Sequence, residues 1–252
     1  MAKYLLFTSL CVLFMQGATD NNNRTVSVME GDSVILNTGV IINNQERVKW
    51  YFNDSRIAQI TGDLKMCTDA QCHEGTERFR DRLKLDQQTG SLTIINTITT
   101  DSGLYQVELF RNSRISENIF IVTVHGVSVS ELDEMKRKSV QKGESVTLYP
   151  GEIKNKNYVM MWYFNGICIA EITEDQRRVC TDEQCKHKLK DRLRVDLQTE
   201  SLIIMNTTDT DSGLYQLQIS SRSFRVIRSF IVTVTVSGYV CKPGSLRREG
   251  IL

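Results

Sequence analysis

The chain has 252 residues, 40% of them hydrophobic and 24% charged, a globular composition that suits one large domain or two of about 100 residues. Its 31 basic and 30 acidic side chains leave a formal net charge of +1. A near-neutral chain lacks the basic surface that binds nucleic acid or an anionic membrane, so we expect neither partner.

The first predicted element is a secretory signal peptide over residues 1–18. Lys3 precedes an apolar run over residues 4–15, and the small residues Gly17 and Ala18 follow that run. The run is too short to span a bilayer. The alternative is a buried N-terminal helix or strand.

Seven short runs then alternate apolar and polar residues and are separated by turn residues. In chain order they read VSVMEGDSVIL, RVKWYF, RIAQI, DRLKLD, GSLTIINT, LYQVELF and NIFIVTV. This pattern predicts an all-β sandwich, and another antiparallel sandwich or barrel is the alternative.

The same pattern occurs twice along the chain. Four segments recur: WYFN at Trp50 and Trp162, DRL at Asp81 and Asp191, DSGLYQ at Asp101 and Asp211, and FIVTV at Phe120 and Phe230. The first segment recurs after 112 residues and the other three after 110. We therefore predict two tandem domains, over residues 22–125 and 138–237, with a linker at 126–137 and a C-terminal tail at 238–252.

Each copy combines a tryptophan in its WYF run with the sequence DSGLY some fifty residues later. In these features the chain resembles variable-type immunoglobulin domains over about residues 25–236. The resemblance implies two tandem immunoglobulin-like β-sandwich domains. It places Trp50 and Trp162 in the core, and it makes Tyr105 and Tyr215 the corner residues before strand F.

The disulfide that normally joins the two sheets of such a domain is missing from both copies. The family has one cysteine two residues after the corner tyrosine, where this chain has Val107 and Leu217. Its partner on strand B corresponds to Thr38 and Pro150. We expect Val107 and Leu217 to fill the core in its place.

Each copy has instead a closely spaced cysteine pair in the loop before its DRL segment. The pairs are Cys67 with Cys72 and Cys180 with Cys185, and we predict one local disulfide in each domain. Closing so short a loop stabilises by about 2 kcal/mol, against about 4 kcal/mol for the missing long-range bridge. We therefore expect the local bridge to stabilise the loop that contains it, at the edge of the sheet.

A metal site is the alternative for these cysteines. Its ligands would be Cys67, Cys72 and His73 in one copy and Cys180, Cys185 and His187 in the other. Three ligands are fewer than the four of a structural zinc site, so we expect no metal and no cofactor. Cys168 and Cys241 stay unassigned: they pair with each other, crosslink two molecules or remain thiols.

The resemblance also implies structural ion pairs beside the corner tyrosines. Arg82 and Arg192 begin the strand called D, and each is expected to pair with the aspartate of the following DSG turn, Asp101 or Asp211. Arg78 is an alternative partner in the first domain.

Nothing in the sequence indicates an enzyme, since no GxSxG, phosphate-binding loop or HExxH motif occurs. The run from Asp81 to Gln106, together with the missing disulfide, resembles the signalling-lymphocyte-activation-molecule family and its adhesion relatives, especially the fish-type members. That resemblance implies extracellular cell adhesion or immune recognition, by binding another immunoglobulin-type ectodomain, its own kind included. The binding surface would be the sheet of strands G, F, C and C′.

Period-two alternation identifies the residues of that sheet that point outward. If Trp50 and Tyr105 point inward, their outward neighbours are the predicted partner-binding residues Lys49, Tyr51, Gln106, Glu108 and Phe110. The alternative is that these five residues belong to an ordinary solvent-exposed sheet face that binds no partner.

Three sequons for N-glycosylation are present, at Asn23, Asn53 and Asn206. No apolar span or lipid-anchor tail follows Val236, so we expect a secreted product, or a cell-surface one if a longer form carries an anchor. Two further functions therefore stay open: a soluble decoy receptor, and a structural secreted protein crosslinked through the spare cysteines.

Overall fold

A computed structural model describes residues 23–43, 45–61, 77–151, 158–173, 176–179, 189, 191–196 and 198–236. Within these ranges the first unit contains β-strands and two 3₁₀ turns, at Glu77–Phe79 and Thr99–Asp101. Its strands are β1 Asn23–Met29, β2 Ser33–Leu36, β3 Arg47–Phe52, β4 Ser55–Ile60, β5 Leu83–Leu85, β6 Leu92–Ile94, β7 Gly103–Arg111 and β8 Arg114–His125.

These strands form two layers, because alternate residues of each strand are apolar. One layer is a five-stranded sheet in the order β1-β8-β7-β3-β4, and β2, β6 and β5 lie in the other. In β3, Val48, Trp50 and Phe52 are buried while the residues between them face outward. The interior between the layers is therefore apolar.

The first apolar run of the sequence is two strands, not the single strand expected. It breaks at Gly31, whose φ of +78° is a left-handed conformation that favours glycine. Before the break β1 pairs in parallel with β8, and after it β2 pairs with β6 in the opposite layer. The chain crosses from one layer to the other at this turn.

The second unit repeats this architecture with a short helix in front of it. Its elements are α1 Val129–Lys136, β9 Arg137–Gln141, β10 Val146–Leu148, β11 Val159–Phe164, β12 Ile167–Ile172, β13 Arg177–Val179, β14 Leu193–Val195, β15 Leu202–Ile204, a 3₁₀ turn Asp209–Asp211, β16 Gly213–Ser220 and β17 Phe224–Thr235. Helix α1 lies in the predicted linker. Ser128 and Glu131 cap its N-terminus reciprocally, and none of its residues is buried.

Large aromatic side chains fill the centre of each unit. Trp50 and Tyr105 in the first, and Trp162 and Tyr215 in the second, are fully buried. The residues that replace the missing cysteines are buried as well: Val107 lies opposite Trp50, and Leu217 lies opposite Trp162. Thr38 and Pro150, which follow β2 and β10, are buried too.

The two tryptophans differ in their hydrogen bonds. The Trp50 Nε1 donates to the carbonyl of Gly90 at 2.8 Å. Gly90 has a φ of +66°, and a Cβ atom at this position would lie 2.9 Å from a methyl group of Val48. Glu200 is the counterpart of Gly90, and the Trp162 Nε1 is buried without a hydrogen-bond acceptor among the described residues.

The expected ion pairs and tyrosine corners are confirmed. The guanidinium of Arg82 donates to both carboxylate oxygens of Asp101, at 2.6 and 2.9 Å, and the Tyr105 hydroxyl donates to the Asp101 carbonyl at 2.8 Å. Arg192, Asp211 and Tyr215 repeat the arrangement. The alternative partner in the first unit, Arg78, donates to the carbonyl of Thr100 instead.

The two units share one sheet. The first half of β17 pairs antiparallel with β2, so that Phe224 lies opposite Leu36 and Val226 opposite Val34. The resulting strand order is β13-β12-β11-β16-β17-β2-β6-β5, with β9 also paired to β17. Because opposite residues share a face, Phe224 and Val226 extend the core of the first unit, and the buried apolar residues of both units form one cluster.

A buried ion pair lies next to this junction. The guanidinium of Arg228 donates to both carboxylate oxygens of Asp32, at 2.9 Å and 2.6 Å, and also to the carbonyl of Pro150. The Arg228 and Asp32 side chains are only 6% and 1% exposed. Lys136, the last residue of α1, donates to the Gly31 carbonyl at 2.8 Å, and partial burial lowers the pKa of its ammonium group.

Candidate protein-interaction surface

The five predicted partner-binding residues lie together on the outer side of the five-stranded sheet. Each is partly exposed, and together they form what we call the charged face: Lys49, Tyr51, Gln106, Glu108 and Phe110. Lys49 and Tyr51 are on β3, directly opposite Glu108 and Gln106 on β7. The alternation of the two strands thus brings all five side chains to one surface.

Contacts within the charged face hold these side chains in place. The Tyr51 hydroxyl donates to a carboxylate oxygen of Glu108 at 3.1 Å. The Lys49 ammonium group lies 4.8 Å from the centre of the Phe110 ring, within cation–π distance. Burial and then the neighbouring Glu108 charge raise the pKa of Tyr51, so the hydroxyl stays a neutral donor at physiological pH.

Strand β8 widens this surface with residues that the sequence analysis did not include. Ile115, Glu117 and Ile119 pair with Phe110, Glu108 and Gln106, which places them on the same outer side. The expected run started only at Asn118, whereas β8 begins at Arg114. Extending the alternation backwards would have identified Ile115 and Glu117. Ile115 is 59% exposed.

Strand β4 adds a basic group at the other margin. Arg56 pairs with Tyr51, and its Nε atom is buried without a hydrogen-bond partner among the described residues. Lys49 and Arg56 are therefore on β3 and β4, while Glu108 and Glu117 are on β7 and β8. The charged face has a basic half and an acidic half.

An ion pair between the end of β7 and the segment before β3 lies at one end of the charged face. Arg111, at the end of β7, contacts the Glu46 carboxylate at 2.5 Å and donates to the Ile41 carbonyl at 2.8 Å. The Arg111 hydrogen bond lowers the pKa of Glu46 and keeps it ionised. The pair holds Ile41 at the tip of its loop, where its side chain is 79% exposed.

Several predicted sites lie outside the described residues. They are Cys67, Cys72, Cys180, Cys185 and Cys241 together with His73 and His187. The local disulfides therefore stay predictions, as does the metal alternative. Within the described ranges, no three histidine, cysteine or acidic side chains are grouped to hold a metal ion. Cys168 is half-buried on β12, opposite Tyr163.

The sequons lie away from the centre of the charged face. Asn23 begins β1, and Asn53 and Asn206 are exposed turn residues with φ values of +43° and +47°. The Asn53 Oδ1 accepts a hydrogen bond from the backbone of Leu104 at 2.9 Å. Glycosylation at these three positions stays a prediction.

Comparison with known proteins agrees with this geometry. Residues 21–125 match the family model of the immunoglobulin V-set domain, so the first unit is an immunoglobulin domain of the variable set. The chain as a whole consists of two tandem immunoglobulin-like β-sandwiches.

More distant similarities extend over larger parts of the chain. The muscle M-line assembly protein unc-89 of Caenorhabditis elegans is 25% identical over 139 residues, which is 54% of this chain and 2% of that protein. Murine CEACAM1b is 21% identical with a TM-score of 0.31, covering 83% of this chain and 96% of that one. Domains 3–5 of Drosophila OTK are 15% identical with a TM-score of 0.31, covering 84% and 64%. TM-scores this low do not support residue-by-residue comparison.

Helices contribute little to the described part of the chain. None of its helices is both long enough and apolar enough to cross a membrane.

Proposed function

We propose that the chain is an extracellular recognition protein that binds another immunoglobulin-type ectodomain through the charged face of its first unit. The observation that supports this most strongly is that Tyr51 and Phe110, both partly exposed, lie beside the exposed Ile115 among charges of both signs. Interfaces of this kind combine aromatic anchors with a polar, charged margin. The resemblance of the Asp81–Gln106 run to lymphocyte adhesion proteins also supports recognition between cell surfaces.

The charge pattern indicates what the partner must offer. An acidic surface should meet the half with Lys49 and Arg56, and a basic surface should meet the half with Glu108 and Glu117. The guanidinium of Arg56, a partly exposed residue, would donate to a carboxylate of the partner. Because hydrogen bonds to charged groups contribute about 1.5–3 kcal/mol, such a contact would favour a partner with an acidic group at this point.

The experiment starts with the purified, secreted chain, screened against a panel of immunoglobulin-type ectodomains that includes the chain itself. Tyr51→Ala combined with Phe110→Ala should weaken binding at least tenfold, since central aromatic anchors contribute about 2 kcal/mol or more each. Tyr163→Ala is the matched control, because Tyr163 has the same position in the second unit. Unfolding midpoints of all variants show whether they remain folded.

Two results would contradict the proposal. One is unchanged binding of the Tyr51 and Phe110 variant to a partner that the native chain binds. The other is loss of binding in the Tyr163→Ala control alone, which would move the binding surface to the second unit.

A further inference from the structure

A small cleft lies at one end of the first unit, beside the charged face. Its apolar lining is Val40 and Ile42 from the segment after β2, Val48 from β3 and Leu109 from β7. Val48 and Leu109 belong to the core, and Val40 and Ile42 pack against it. This feature, which we call the end cleft, is therefore an apolar recess at the margin of the core.

The size of the end cleft limits what it can hold. It encloses about 280 Å³, part of which is open to solvent. Small-molecule ligands occupy pockets of about 300–1,000 Å³, so the end cleft suits a single side chain better than a cofactor or metabolite. Phe110 lines the cleft and also belongs to the charged face, which makes the two surfaces continuous.

Hydrogen bonds hold the wall that Val40 and Ile42 form. The Ile42 N–H donates to the Gln88 carbonyl at 2.7 Å. The guanidinium of Arg111 donates to the carbonyl of Ile41, between the two lining residues, at 2.8 Å. The wall is therefore already ordered before a ligand binds, which favours affinity.

The end cleft has one unmatched charge. Glu46 and Arg111 line it and neutralise each other in an ion pair at 2.5 Å. Arg47 lines it as well, is exposed, and has no ion-pair partner within the part of the chain that the structure describes. A segment that fills the cleft should therefore carry a carboxylate next to its apolar side chain.

The second unit uses the corresponding position to contact another unit. Val226 stands there in place of Ser116, which lines the end cleft. Val226 is 2% exposed and lies opposite Val34 of β2, so the first unit covers it. Ser116 is exposed. The same end of the first unit is thus open to a further immunoglobulin-type domain.

We propose that the end cleft is an anchor site for the ectodomain that the charged face binds. It takes one branched apolar side chain of that partner, and a carboxylate of the same segment pairs with Arg47. Apolar anchors in such pockets contribute most of the affinity of many interfaces. This inference rests on the proposed function and adds to it the chemistry of the segment that the partner must present.

The ligand 4-methylpentanoate tests the end cleft without the partner, because it joins a leucine-like branched chain to a carboxylate. It would be titrated into the full chain with isotopically labelled valine and isoleucine methyl groups. We expect saturable shifts of the Val40, Ile42 and Val48 methyl resonances, with a Kd in the millimolar range. Acetate, which lacks the branched chain, should not shift them. Ser116→Leu, which fills the cleft, should abolish the shifts.

The ectodomain found in the screen gives the second test. Ser116→Leu should weaken its binding at least about tenfold, because the partner's side chain is then excluded. Thr123→Leu is the matched control, since it adds the same side chain to an exposed position of β8 that does not line the cleft. Arg47→Glu should also weaken binding at least about tenfold, and Arg80→Glu, at an exposed arginine outside the cleft, should not.

The inference is overturned if 4-methylpentanoate shifts none of the three resonances at tens of millimolar, or shifts them no more than acetate does. It is also overturned if Ser116→Leu and Thr123→Leu bind the ectodomain equally well. Unfolding midpoints check that the variants are folded. Tyr51 does not line the cleft, so Tyr51→Ala tests the charged face separately, and failure of the proposed function is distinguishable from failure of this inference.

Discussion

Replacing Arg228 with leucine tests whether the two units are one structural body. The substitution leaves the Asp32 carboxylate buried, with the backbone N–H of Met29 at 3.0 Å as its remaining hydrogen-bond donor in the described chain. It also removes a donor from the carbonyl of Pro150. Breaking a buried ion pair by removing one partner costs about 3–5 kcal/mol, a large part of the roughly 5–15 kcal/mol that stabilises a typical domain.

The assay is urea unfolding followed by tryptophan fluorescence, with one reporter in each unit. A Trp162→Phe background leaves Trp50 to report on the first unit, and a Trp50→Phe background leaves Trp162 for the second. In the otherwise native chain both reporters should give one midpoint. Adding Arg228→Leu should lower both midpoints and separate them, because the shared core is weakened at the junction.

Two controls define the result that would refute this reasoning. Asp32→Leu with Arg228→Leu should recover much of the loss, since neither charge is then left unpaired. Lys142→Gln breaks an ion pair whose side chains are 51% and 58% exposed, and should cost less than about 1 kcal/mol. The two units are not one structural body if Arg228→Leu costs no more than Lys142→Gln, or if the two reporters already separate in the native chain.

Two further substitutions test local features. Gly90→Ala should destabilise the chain by about 1–3 kcal/mol in urea unfolding. Alanine is strained at a φ of +66°, and its methyl group would meet Val48 of β3. An unchanged free energy of unfolding would contradict this prediction. Burial opposes ionisation of Asp211, but hydrogen bonds from Arg192 and the Thr208 backbone outweigh it and hold its pKa below the usual 3.8. The contribution of Asp211 to stability is therefore full above pH 3.8, and it is lost as the pH falls through the lower pKa that Asp211 has in the folded chain. Asp211→Asn should be less stable than the native chain at pH 7 and lose less stability on acidification, and parallel pH profiles would contradict the argument.

Much of each unit was predictable because local patterns determine it. Alternation around Trp50 and Tyr105 was sufficient to place Lys49, Tyr51 and Phe110 on one outer surface, since a strand has only two faces. The ion pair of Arg82 with Asp101 was predictable from family resemblance and not from periodicity, because its partners are 19 residues apart and on different elements.

Two other features, helix α1 and the division of the first run, were indicated by individual turn or cap residues and not by the alternation of the strands. Ser128 and Glu131 have the spacing of a capping box, which indicates the start of α1 in the predicted linker. Gly31 indicated that the first run divides into two strands. In both places a turn or cap residue was more informative than the hydrophobic period.

The sheet shared by the two units was not predictable in this way. Phe224 and Val226 replace Arg114 and Ser116 of the first unit, so the second unit has apolar residues where the first has polar ones. That difference shows that something covers β17, but not what covers it. Periodicity describes the faces of a strand, whereas the pairing of β17 with β2 depends on which strand edge lies unpaired elsewhere in the fold.

Photo-crosslinking is the most direct test of the proposal that the charged face binds the partner. A photoreactive amino acid would replace Phe110 in one variant of the full chain. In a second variant it would replace Lys84, an exposed residue of β5 in the opposite layer of the same unit. Each variant would be irradiated with the ectodomain found in the screen. We predict a covalent complex from position 110 and none from position 84; a complex from position 84 alone would contradict the account.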